Sequence, residues 1–363
     1  MSEVKKAPRS RRMGLLFSSS SIQNHNRAHL RQADQATTSH GPQSPRKPTV
    51  STRILILSDT HGHASLPSPL PDLNLDVIIH SGDLSQCGSI SDYQATLTLL
   101  SSLPAPLKLV IPGNHDLSLD PLFPSANKNF TDAERQELHT QALAFWTGPE
   151  AREEGVAFLH PGFHEFVLRN GGRLKVYATP YTPFPTGVDV SEWAFGHASS
   201  DDLYNPPGTG IWYSVSKWRE EMLIEDERRG EVDVLVSHGP PRYRLDRTEP
   251  GENVGCKHLW RAVRRCRPRV HVFGHVHAGF GAERVVWKEE RELPRDDDVD
   301  DGIARVERNR GERGEGVVRF VAVGKQEGQE TLFVNAALMG EERLVNMPWI
   351  VEMELERVLF TAP

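Results

Sequence analysis

The feature that most constrains this chain is a series of five short polar motifs, each placed directly after an apolar run. In chain order they are Asp59-x-His61, Gly82-Asp83, Gly113-Asn114-His115-Asp116, Ser237-His238-Gly239 and Gly274-His275-x-His277. Short apolar runs that end in polar clusters are typical of buried parallel strands. Open α/β sheets place their sites at the carboxyl ends of such strands. One motif alone is weak evidence, but five in order indicate one shared functional site.

The apolar runs predict strands that alternate with helices. The strands before the motifs are predicted at 54–57, 77–79, 107–111, 232–236 and 270–273. Other strands are predicted at 156–159, 164–169, 173–178, 317–323, 331–335 and 350–355. An Asn170-Gly171-Gly172 turn predicts a hairpin from 164 to 178, and 317–323 is expected to pair with 331–335 as a late hairpin. Helices are predicted at 92–102, at 131–146 with a Thr131/Glu134 capping box, and at 257–266. This pattern indicates the α/β class.

The charge distribution predicts three regions. Residues 1–50 contain nine Lys or Arg residues against Glu3 and Asp34, and the formal net charge of the whole chain is −7. We expect residues 1–50 to be a disordered basic tail and 51–360 to be the folded domain, with order beginning at Arg53. Residues 288–316 are rich in both charges and are predicted to be a mobile insertion in that domain. Outside the tail the chain is acidic, which argues against general nucleic-acid binding.

The three cysteines and the lack of long apolar runs indicate an intracellular protein. Cys87, Cys256 and Cys266 form neither a disulfide framework nor a CxxC pair. No run approaches the roughly 20 apolar residues that span a bilayer, and no secretory signal is visible, so no membrane association is expected. Cytoplasmic location is therefore the default, with nuclear entry through the basic tail as the alternative. The sequence does not fix the oligomeric state.

The residue types in the five motifs suit a pair of divalent metal ions. A carboxylate such as Asp83 can bridge two ions, one oxygen to each. Carboxylate and imidazole ligands suit Mn²⁺, Fe²⁺, Fe³⁺ or Zn²⁺, whereas Mg²⁺ prefers oxygen alone. Such a pair lowers the pKa of a bound water, and the bridging hydroxide can attack a phosphorus atom in line. The motifs therefore predict a metal-dependent phosphoester hydrolase with a small phosphoester as its substrate.

The motifs resemble those of the calcineurin-like metallophosphoesterase superfamily and, within it, the metallophosphoesterase-domain-containing protein subfamily. The resemblance covers about residues 53–355. The segments that carry it most clearly are ATPYTPFPTGVDVSEWAF (178–195), LVSHGPPRYRLD (235–246), GCKHLW (255–260), HVFGHVHAGFG (271–281) and TLFVNAA (331–337). The resemblance implies a four-layer α-β-β-α sandwich of two mixed sheets, which the strand pattern alone does not establish.

The resemblance also implies a role for each motif residue. Asp59, His61, Asp83 and His277 would hold the first metal ion, and Asp83, Asn114, His238 and His275 the second. His115 would hydrogen-bond the phosphate and protonate the leaving oxygen. Asp116 either pairs with His115 or caps the turn that carries it.

The second motif departs from that of the protein Ser/Thr phosphatases and favours a diester substrate. Those enzymes have a sequence like G-D-x-V-D-R-G, whereas here Gln86 replaces the second acid and Cys87 the phosphate-binding arginine. A phosphodiester carries one negative charge fewer than a monoester and depends less on a guanidinium. We therefore expect a phosphodiesterase for small diesters or cyclic nucleotides. The alternatives are a Ser/Thr-type protein phosphatase or other phosphomonoesterase, and a non-catalytic scaffold that retains the fold.

Three residues near the motifs are candidates for substrate binding. Trp193 and Phe195 follow a proline-rich loop and can stack on a base or an aryl leaving group. The alternative for both is packing of the loop onto the core. Arg242, four residues after His238, can bind a phosphate oxygen, and its alternative is an ordinary surface position.

Overall fold

The structure is a computed structural model that describes residues 47–122, 130–187, 189–205, 231–288 and 328–359, and the backbone alone of 303–309 and 319–322. The strands in these residues are β1 Thr49–Leu57, β2 Val77–His80, β3 Leu107–Val110, β4 Val156–Phe158, β5 Gly162–Val167, β6 Arg173–Thr179, β7 Thr182–Pro183, β8 Gly196–His197, β9 Val234–Ser237, β10 Val270–Phe273, β11 Gly281–Trp287, β12 Ile303–Asn309, β13 Arg319–Ala322, β14 Glu330–Asn335 and β15 Trp349–Glu356. The α-helices are α1 Ile90–Ser101, α2 Asp132–Thr147, α3 Pro149–Glu153 and α4 Lys257–Cys266. Within the same residues, no helix is both long and apolar enough to cross a bilayer.

The strands form two mixed sheets and one short pair. The first sheet has the order β13-β15-β1-β2-β3-β4, and the second has the order β12-β11-β14-β10-β9-β6-β5. In the first sheet β1 to β4 run parallel, while β15 is antiparallel to β1. In the second sheet β14, β10, β9 and β6 run parallel. The parallel central strands bring several carboxyl ends to one edge of each sheet, which is where the motifs lie.

Three apolar clusters define four layers. Alternate residues of β1, Ile54 and Ile56, lie between the sheets with Val234 and Val270 of the second sheet. The other residues of β1 pack with α1 and α2 on the outer face of the first sheet. On the outer face of the second sheet, side chains such as Leu235 pack with α4. Burial on both faces explains why the second half of β1, residues 54–57, is a continuous apolar run. The predicted α-β-β-α sandwich is thus confirmed.

Local signals in the sequence account for the helix boundaries. Helix α2 begins after a complete capping box, in which Thr131 Oγ1 accepts from the Glu134 amide at 3.3 Å and Glu134 accepts from the Thr131 amide at 2.7 Å. Helix α1 begins two residues before the predicted start because Ser89 caps it, accepting from the Asp92 amide at 3.1 Å. Helix α4 has its predicted bounds.

Three expectations about the strands were wrong. Strand β1 begins at Thr49 rather than Arg53, because β15 pairs with it from Thr49 to Ile56. Residues 319–322 do not form a hairpin with β14; they pair in parallel with β15 in the first sheet, while β14 lies between β10 and β11 in the second. No strand was predicted between 274 and 316, yet β11 and β12 lie there and pair with each other; the mobility of 288–316 stays a prediction. The disordered tail and the rest of the insertion stay predictions, since residues 1–46, 289–302 and 310–318 lie outside the described residues.

Candidate metal centre

The five predicted motifs meet where the two sheets present the carboxyl ends of their central strands. Asp59, Asp83 and Asn114 follow β1, β2 and β3 of the first sheet. His238 follows β9, and the His275-x-His277 segment follows β10 of the second sheet. Because these strands are parallel neighbours within their sheets, their end loops lie side by side. The site is therefore built by both sheets; the motifs indicated one shared site but not that two sheets contribute to it.

Hydrogen bonds fasten these loops to one another. Within the first sheet the amide of Asp59 donates to Gly82 O at 2.9 Å, and the amide of His61 donates to Asp83 O at 3.0 Å. Between the sheets, the amide of His275 lies 3.0 Å from both carboxylate oxygens of Asp59. His238 Nδ1 donates to Ser81 O at 3.0 Å, which turns Nε2 toward the site. The ligand atoms are thus positioned by main-chain contacts as well as by packing.

The candidate ligand atoms form three overlapping groups, and the atoms of each group lie within 4.8 Å of one another. The groups are Asp59, His61 and His277; Asp83, His238 and His275; and His61, Asp83 and His115. His238 Nε2 lies 3.3 Å from Asp83 Oδ1, and His277 Nε2 lies 3.3 Å from Asp59 Oδ1. Asn114 Oδ1 adds a further oxygen 2.8 Å from His238 Nε2. Asp83 lies between the first two groups, since one of its oxygens also lies 3.7 Å from His61 Nε2.

The side chain of His61 provides an independent test of whether metal ions fit here. The residue is 8 % exposed, and neither ring nitrogen has a hydrogen-bond partner in the described structure. Burying an imidazole without a partner is costly, so such atoms usually bind something. A cation between His61 and its neighbouring carboxylates would satisfy one nitrogen, and the mixed nitrogen and oxygen donors suit Mn, Fe or Zn ions. The residues present therefore fit a pair of such ions.

The buried charges of the site depend on each other. Burial opposes ionisation of Asp83, but the nearby imidazoles, His238 above all, hold its pKa well below the ordinary value. Burial likewise opposes protonation of His238, but the Asp83 carboxylate raises the pKa of His238 to about 9. Asp59 has its pKa lowered to about 2, because contact with His277 outweighs the opposing effect of burial. Two ionised carboxylates in a buried site attract cations strongly.

Four of the candidate ligands have backbone conformations that side chains rarely adopt. Asp59, His61, Asp83 and His275 have φ angles of 55°, 44°, 54° and 66°. The left-handed region is unfavourable for residues with a Cβ atom and is concentrated at functional sites. These angles turn the side chains out of their strands and into the shared site.

Two glycines leave the space that the ligands occupy. A Cβ atom on Gly274 would collide with the Asp59 carboxylate and the Ser58 side chain. A Cβ atom on Gly113 would collide with Asp83 and with the ring of His238. Glycine at these two positions of the motifs is therefore required by close approach to the ligands.

His115 lies beside the ligands and is oriented by a main-chain carbonyl. Its Nδ1 donates to Gln86 O at 2.9 Å, and its ring centre lies 4.8 Å from that of His61. The sequence showed only that Gln86 lacks the carboxylate expected at this position; it did not reveal that the Gln86 carbonyl takes its place. His115 also lines the cavity above the site.

The carboxylate of Asp116 makes its hydrogen bonds to the turn that carries it and to the segment after β2, and none of those found in the described residues goes to the His115 ring. Its carboxylate accepts from the amides of Gly113, Leu84 and Ser85 at 2.7 to 3.1 Å. Asp116 therefore caps the turn, as the alternative prediction held. Burial, together with the charge of Asp83, raises the pKa of Asp116 to about 7.

The structure separates the three predicted substrate residues. Trp193 and Arg242 line an open cavity of about 1580 Å³ that contains His61, His115, His275 and His277 in its wall. The Trp193 ring is perpendicular to that of His275, with centres 5.3 Å apart. Phe195 lies elsewhere: it is 6 % exposed and packs on Tyr181, because its φ of 53° turns the side chain into the core. Phe195 is therefore corrected to a core residue.

Asp120 is a residue of the site region that the sequence gave no reason to choose. Its carboxylate accepts a hydrogen bond from the amide of Phe195 at 2.6 Å. The amide of the preceding residue, Ala194, donates to Asn114 O at 2.9 Å. The indole nitrogen of Trp193 donates to Thr182 Oγ1 at 2.8 Å. The loop that carries Trp193 is thereby fixed to the motif that carries Asn114.

Comparison with known proteins agrees with this geometry. Residues 52–279 match the family model described as calcineurin-like phosphoesterase. The chain belongs to the calcineurin-like phosphoesterase family. The matched range spans all five motifs, so every candidate metal ligand lies within it, whereas strands β11 to β15 of the two sheets lie beyond it.

Similar proteins have diverse descriptions. A probable rhamnogalacturonate lyase C of Emericella nidulans is 31 % identical over 72 % of this chain and 21 % of its own length. Metallophosphoesterase domain-containing protein 1 of Homo sapiens is 32 % identical over 66 % of this chain and 65 % of its own length. The chain thus spans less than two thirds of the length of either relative. A solved purple acid phosphatase from yellow lupin (Lupinus luteus) seeds aligns with a TM-score of 0.34 and 13 % identity, over 84 % of this chain and 47 % of that one.

Proposed function

We propose that this protein is a binuclear metal-dependent phosphodiesterase that acts on small diesters, cyclic nucleotides included. The observation that carries the proposal is the pair of ligand groups that meet at Asp83, with the unpartnered ring of His61 between Asp83 and Asp59. Site 1 would comprise Asp59, His61, Asp83 and His277, and site 2 would comprise Asp83, Asn114, His238 and His275. The bound ions would acidify a water molecule and neutralise charge on the phosphoryl oxygens.

The chain's own residues would then orient the substrate and handle the proton. The proton on His115 Nδ1 is used in the hydrogen bond to Gln86 O. When the ring carries two protons, the second one is on Nε2 and is free to be donated. From its place in the cavity wall, His115 would hydrogen-bond a phosphoryl oxygen and give the Nε2 proton to the leaving oxygen. Arg242, also in the wall, would bind a further oxygen.

Two features support a diester over a monoester. Cys87 stands where the protein phosphatases have a phosphate-binding arginine, and the dianion of a monoester needs that positive charge more. The cavity of about 1580 Å³ is far larger than a phosphate and has room for both substituents of a diester. A scaffold without turnover would not need the paired carboxylates, the strained ligands and His115 together.

The test compares three substrates with purified protein and Mn²⁺, Fe²⁺ or Zn²⁺. We expect faster hydrolysis of bis(4-nitrophenyl) phosphate than of 4-nitrophenyl phosphate. His115→Ala should reduce kcat by about 10²-fold or more. The reduction should be larger with diphenyl phosphate, whose leaving group needs the proton more, and the metal content measured by mass spectrometry should be unchanged.

The matched control is His160→Ala, which removes an exposed histidine outside the cavity lining and should retain full activity. A clear preference for the monoester would replace the proposal with a phosphomonoesterase. Failure of the wild-type protein to hydrolyse any of the three esters with any of the three metals would favour the scaffold.

A further inference from the structure

We propose that the substrate is a phosphodiester with one uncharged apolar substituent, which binds against Val254 and Val345 in the cavity above the metal centre. This inference rests on the proposed function and names the substrate class. Seven large apolar side chains are exposed in the described residues, and two of them, Val254 at 37 % and Val345 at 38 %, line this one cavity. Single exposed apolar residues are ordinary on a protein surface, but apolar residues gathered in a concave site indicate a ligand.

The two valines are held in place by separate hairpins. In the 246–254 hairpin the amide of Val254 donates to Asp246 O at 3.2 Å, and Arg247 pairs with Asn253. In the 338–345 hairpin the amide of Val345 donates to Leu338 O at 2.9 Å. The hydrogen bonds fix the main chain of each hairpin, and valine has few side-chain rotamers. Neither valine can therefore easily rotate its methyl groups out of the solvent. The exposed apolar surface is therefore built into the cavity wall.

Further apolar groups connect these valines to the metal centre. Val276 lies between the candidate ligands His275 and His277 and lines the same cavity. Met339, next to Leu338 in the second hairpin, also lines it. An apolar substituent of a phosphodiester bound at the ligands would therefore meet apolar side chains from the metal centre outward.

Charged residues at the rim of the cavity argue against a second anionic group on the substrate. The four rim carboxylates are Glu249, Glu252, Glu341 and Glu342. The three cations in the cavity wall are Arg242, Lys257 and Arg343, so the acids outnumber the bases. This part of the cavity therefore offers no excess positive charge to a second anionic group, and a substituent without charge needs none.

The experiment uses 4-nitrophenyl alkyl phosphates whose alkyl chain is methyl, butyl or hexyl. In each reaction water supplies the oxygen of the new P–O bond, the bond to the aryl oxygen breaks, and 4-nitrophenolate, an alkyl phosphate and a proton are released. The reacting bond is the same throughout, so the chain length changes binding alone. We expect kcat/KM to rise about twofold per added CH₂, less than the roughly fourfold of complete burial, because the cavity is open.

The variant Val254→Thr/Val345→Thr replaces two methyl groups by hydroxyls without changing the shape of either residue. The variant should have the wild-type kcat/KM for the methyl ester. It should lose most of the increase in kcat/KM that the wild-type protein shows from the methyl to the hexyl ester. Val167→Thr is the matched control, since Val167 is an exposed valine of β5 outside the cavity lining and its change should leave the gain intact.

A binding measurement separates this inference from the proposed function. Hexyl(methyl)phosphinate has only P–C bonds to its substituents and cannot be hydrolysed, and calorimetry with the metal-loaded protein should show tighter binding than for dimethylphosphinate. Hydrolysis of the methyl ester with no effect of chain length would overturn the apolar site and leave the phosphodiesterase standing. A third outcome is that no ester is hydrolysed, but the hexyl phosphinate binds more tightly than dimethylphosphinate and the double threonine variant loses this difference. That outcome would support the apolar site and refute the phosphodiesterase. If kcat/KM still rises with chain length in the double threonine variant, these valines do not bind the alkyl chain.

Discussion

At the scale of single residues, the candidate metal centre depends on residues that are not among its candidate ligands. Asp116 holds the turn that carries Asn114 and His115, and Gln86 orients His115 through its main-chain carbonyl. Gly113 and Gly274 leave room for ligand side chains. Changes at such positions are expected to act on metal binding without removing any donor atom.

Gly274→Ala is expected to remove one of the two metal ions. The new Cβ would displace the Asp59 carboxylate, which is assigned to site 1 alone, whereas no donor atom of site 2 is among the atoms that it would strike. Metal content after dialysis against Mn²⁺ should fall from about two ions per chain toward one. The control is Gly328→Ala, where φ is +71° and nothing lies within 4 Å. That change should cost about 1 kcal/mol in stability. Two retained ions in Gly274→Ala would contradict the assignment of Asp59.

The sequence revealed the ligand types but not the direction of every side chain. The five motifs predicted Asp59, Asp83 and His238 in one place because a strand end fixes where the next residues lie. Phe195 was assigned to the substrate cavity, yet a positive φ turns it inward. The sequence does not indicate whether the side chain of an aromatic residue on a loop points into the core or into a cavity. The carbonyl of Gln86 was equally hidden, because main-chain atoms carry no sequence signal.

At the scale of helices and strands, the structure shows which local signals determine boundaries. Helix α4 has its predicted bounds, and the capping box of α2 forms as its residues indicate. These elements are set by residues a few positions apart. Pairing of β13 with β15 was not predictable in this way, since the partner of a strand depends on distant packing.

Thr131→Ala is expected to lower the free energy of unfolding by about 1 kcal/mol, because it removes the side chain that caps α2. The measurement is a urea unfolding curve. Thr140→Ala, in the exposed middle of the same helix, serves as the control and should change stability less. Equal losses for the two variants would mean that the cap contributes little.

Asp202 connects the loop before residue 206 with α4 and predicts a pH dependence of stability. It accepts from the amide of Tyr204 at 3.1 Å and lies 3.1 Å from His258 Nδ1. Burial opposes ionisation, but contacts with His258 and Asn205 lower the pKa of Asp202 to about 2 from 3.8. Since the folded state has the lower pKa, the stabilisation is fully present above about pH 4 and is lost as the pH falls toward 2.

Asp202→Asn should therefore lower the free energy of unfolding by on the order of 1–2 kcal/mol at pH 6, and by less at pH 3. Urea midpoints at the two pH values measure the difference. Asp201→Asn removes the same charge one residue away, without the bridge to α4 seen at Asp202. If Asp202→Asn lowers the free energy of unfolding by the same amount at pH 6 and at pH 3, ionisation of Asp202 is not the cause of the loss.

At the scale of the whole molecule, the candidate metal centre draws its residues from both sheets. The first sheet supplies Asp59, Asp83 and Asn114, and the second supplies His238, His275 and His277. A ligand that binds only this folded arrangement stabilises it by mass action. The sequence indicated the shared site, but the sandwich came from a family resemblance, because apolar runs do not tell which sheet a strand joins.

Addition of Mn²⁺ at about one hundred times its Kd should stabilise the fold by about 2.7 kcal/mol for each site. The corresponding rise in Tm is about 5–10 °C, measured by scanning calorimetry against a sample treated with chelator. Asp83→Asn should abolish the response because both sites share Asp83. Asp72→Asn, at an exposed position, should retain it. A metal response of normal size in Asp83→Asn would disprove a shared carboxylate.

The left-handed backbone of Asp59, His61, Asp83 and His275 has a practical consequence for engineering. Glycine adopts that conformation without penalty, so glycine at any of the four positions relieves local strain while deleting a ligand. A selection for heat resistance in the absence of metal would therefore enrich inert variants. Directed evolution of this chain has to score turnover in the same round as thermal tolerance.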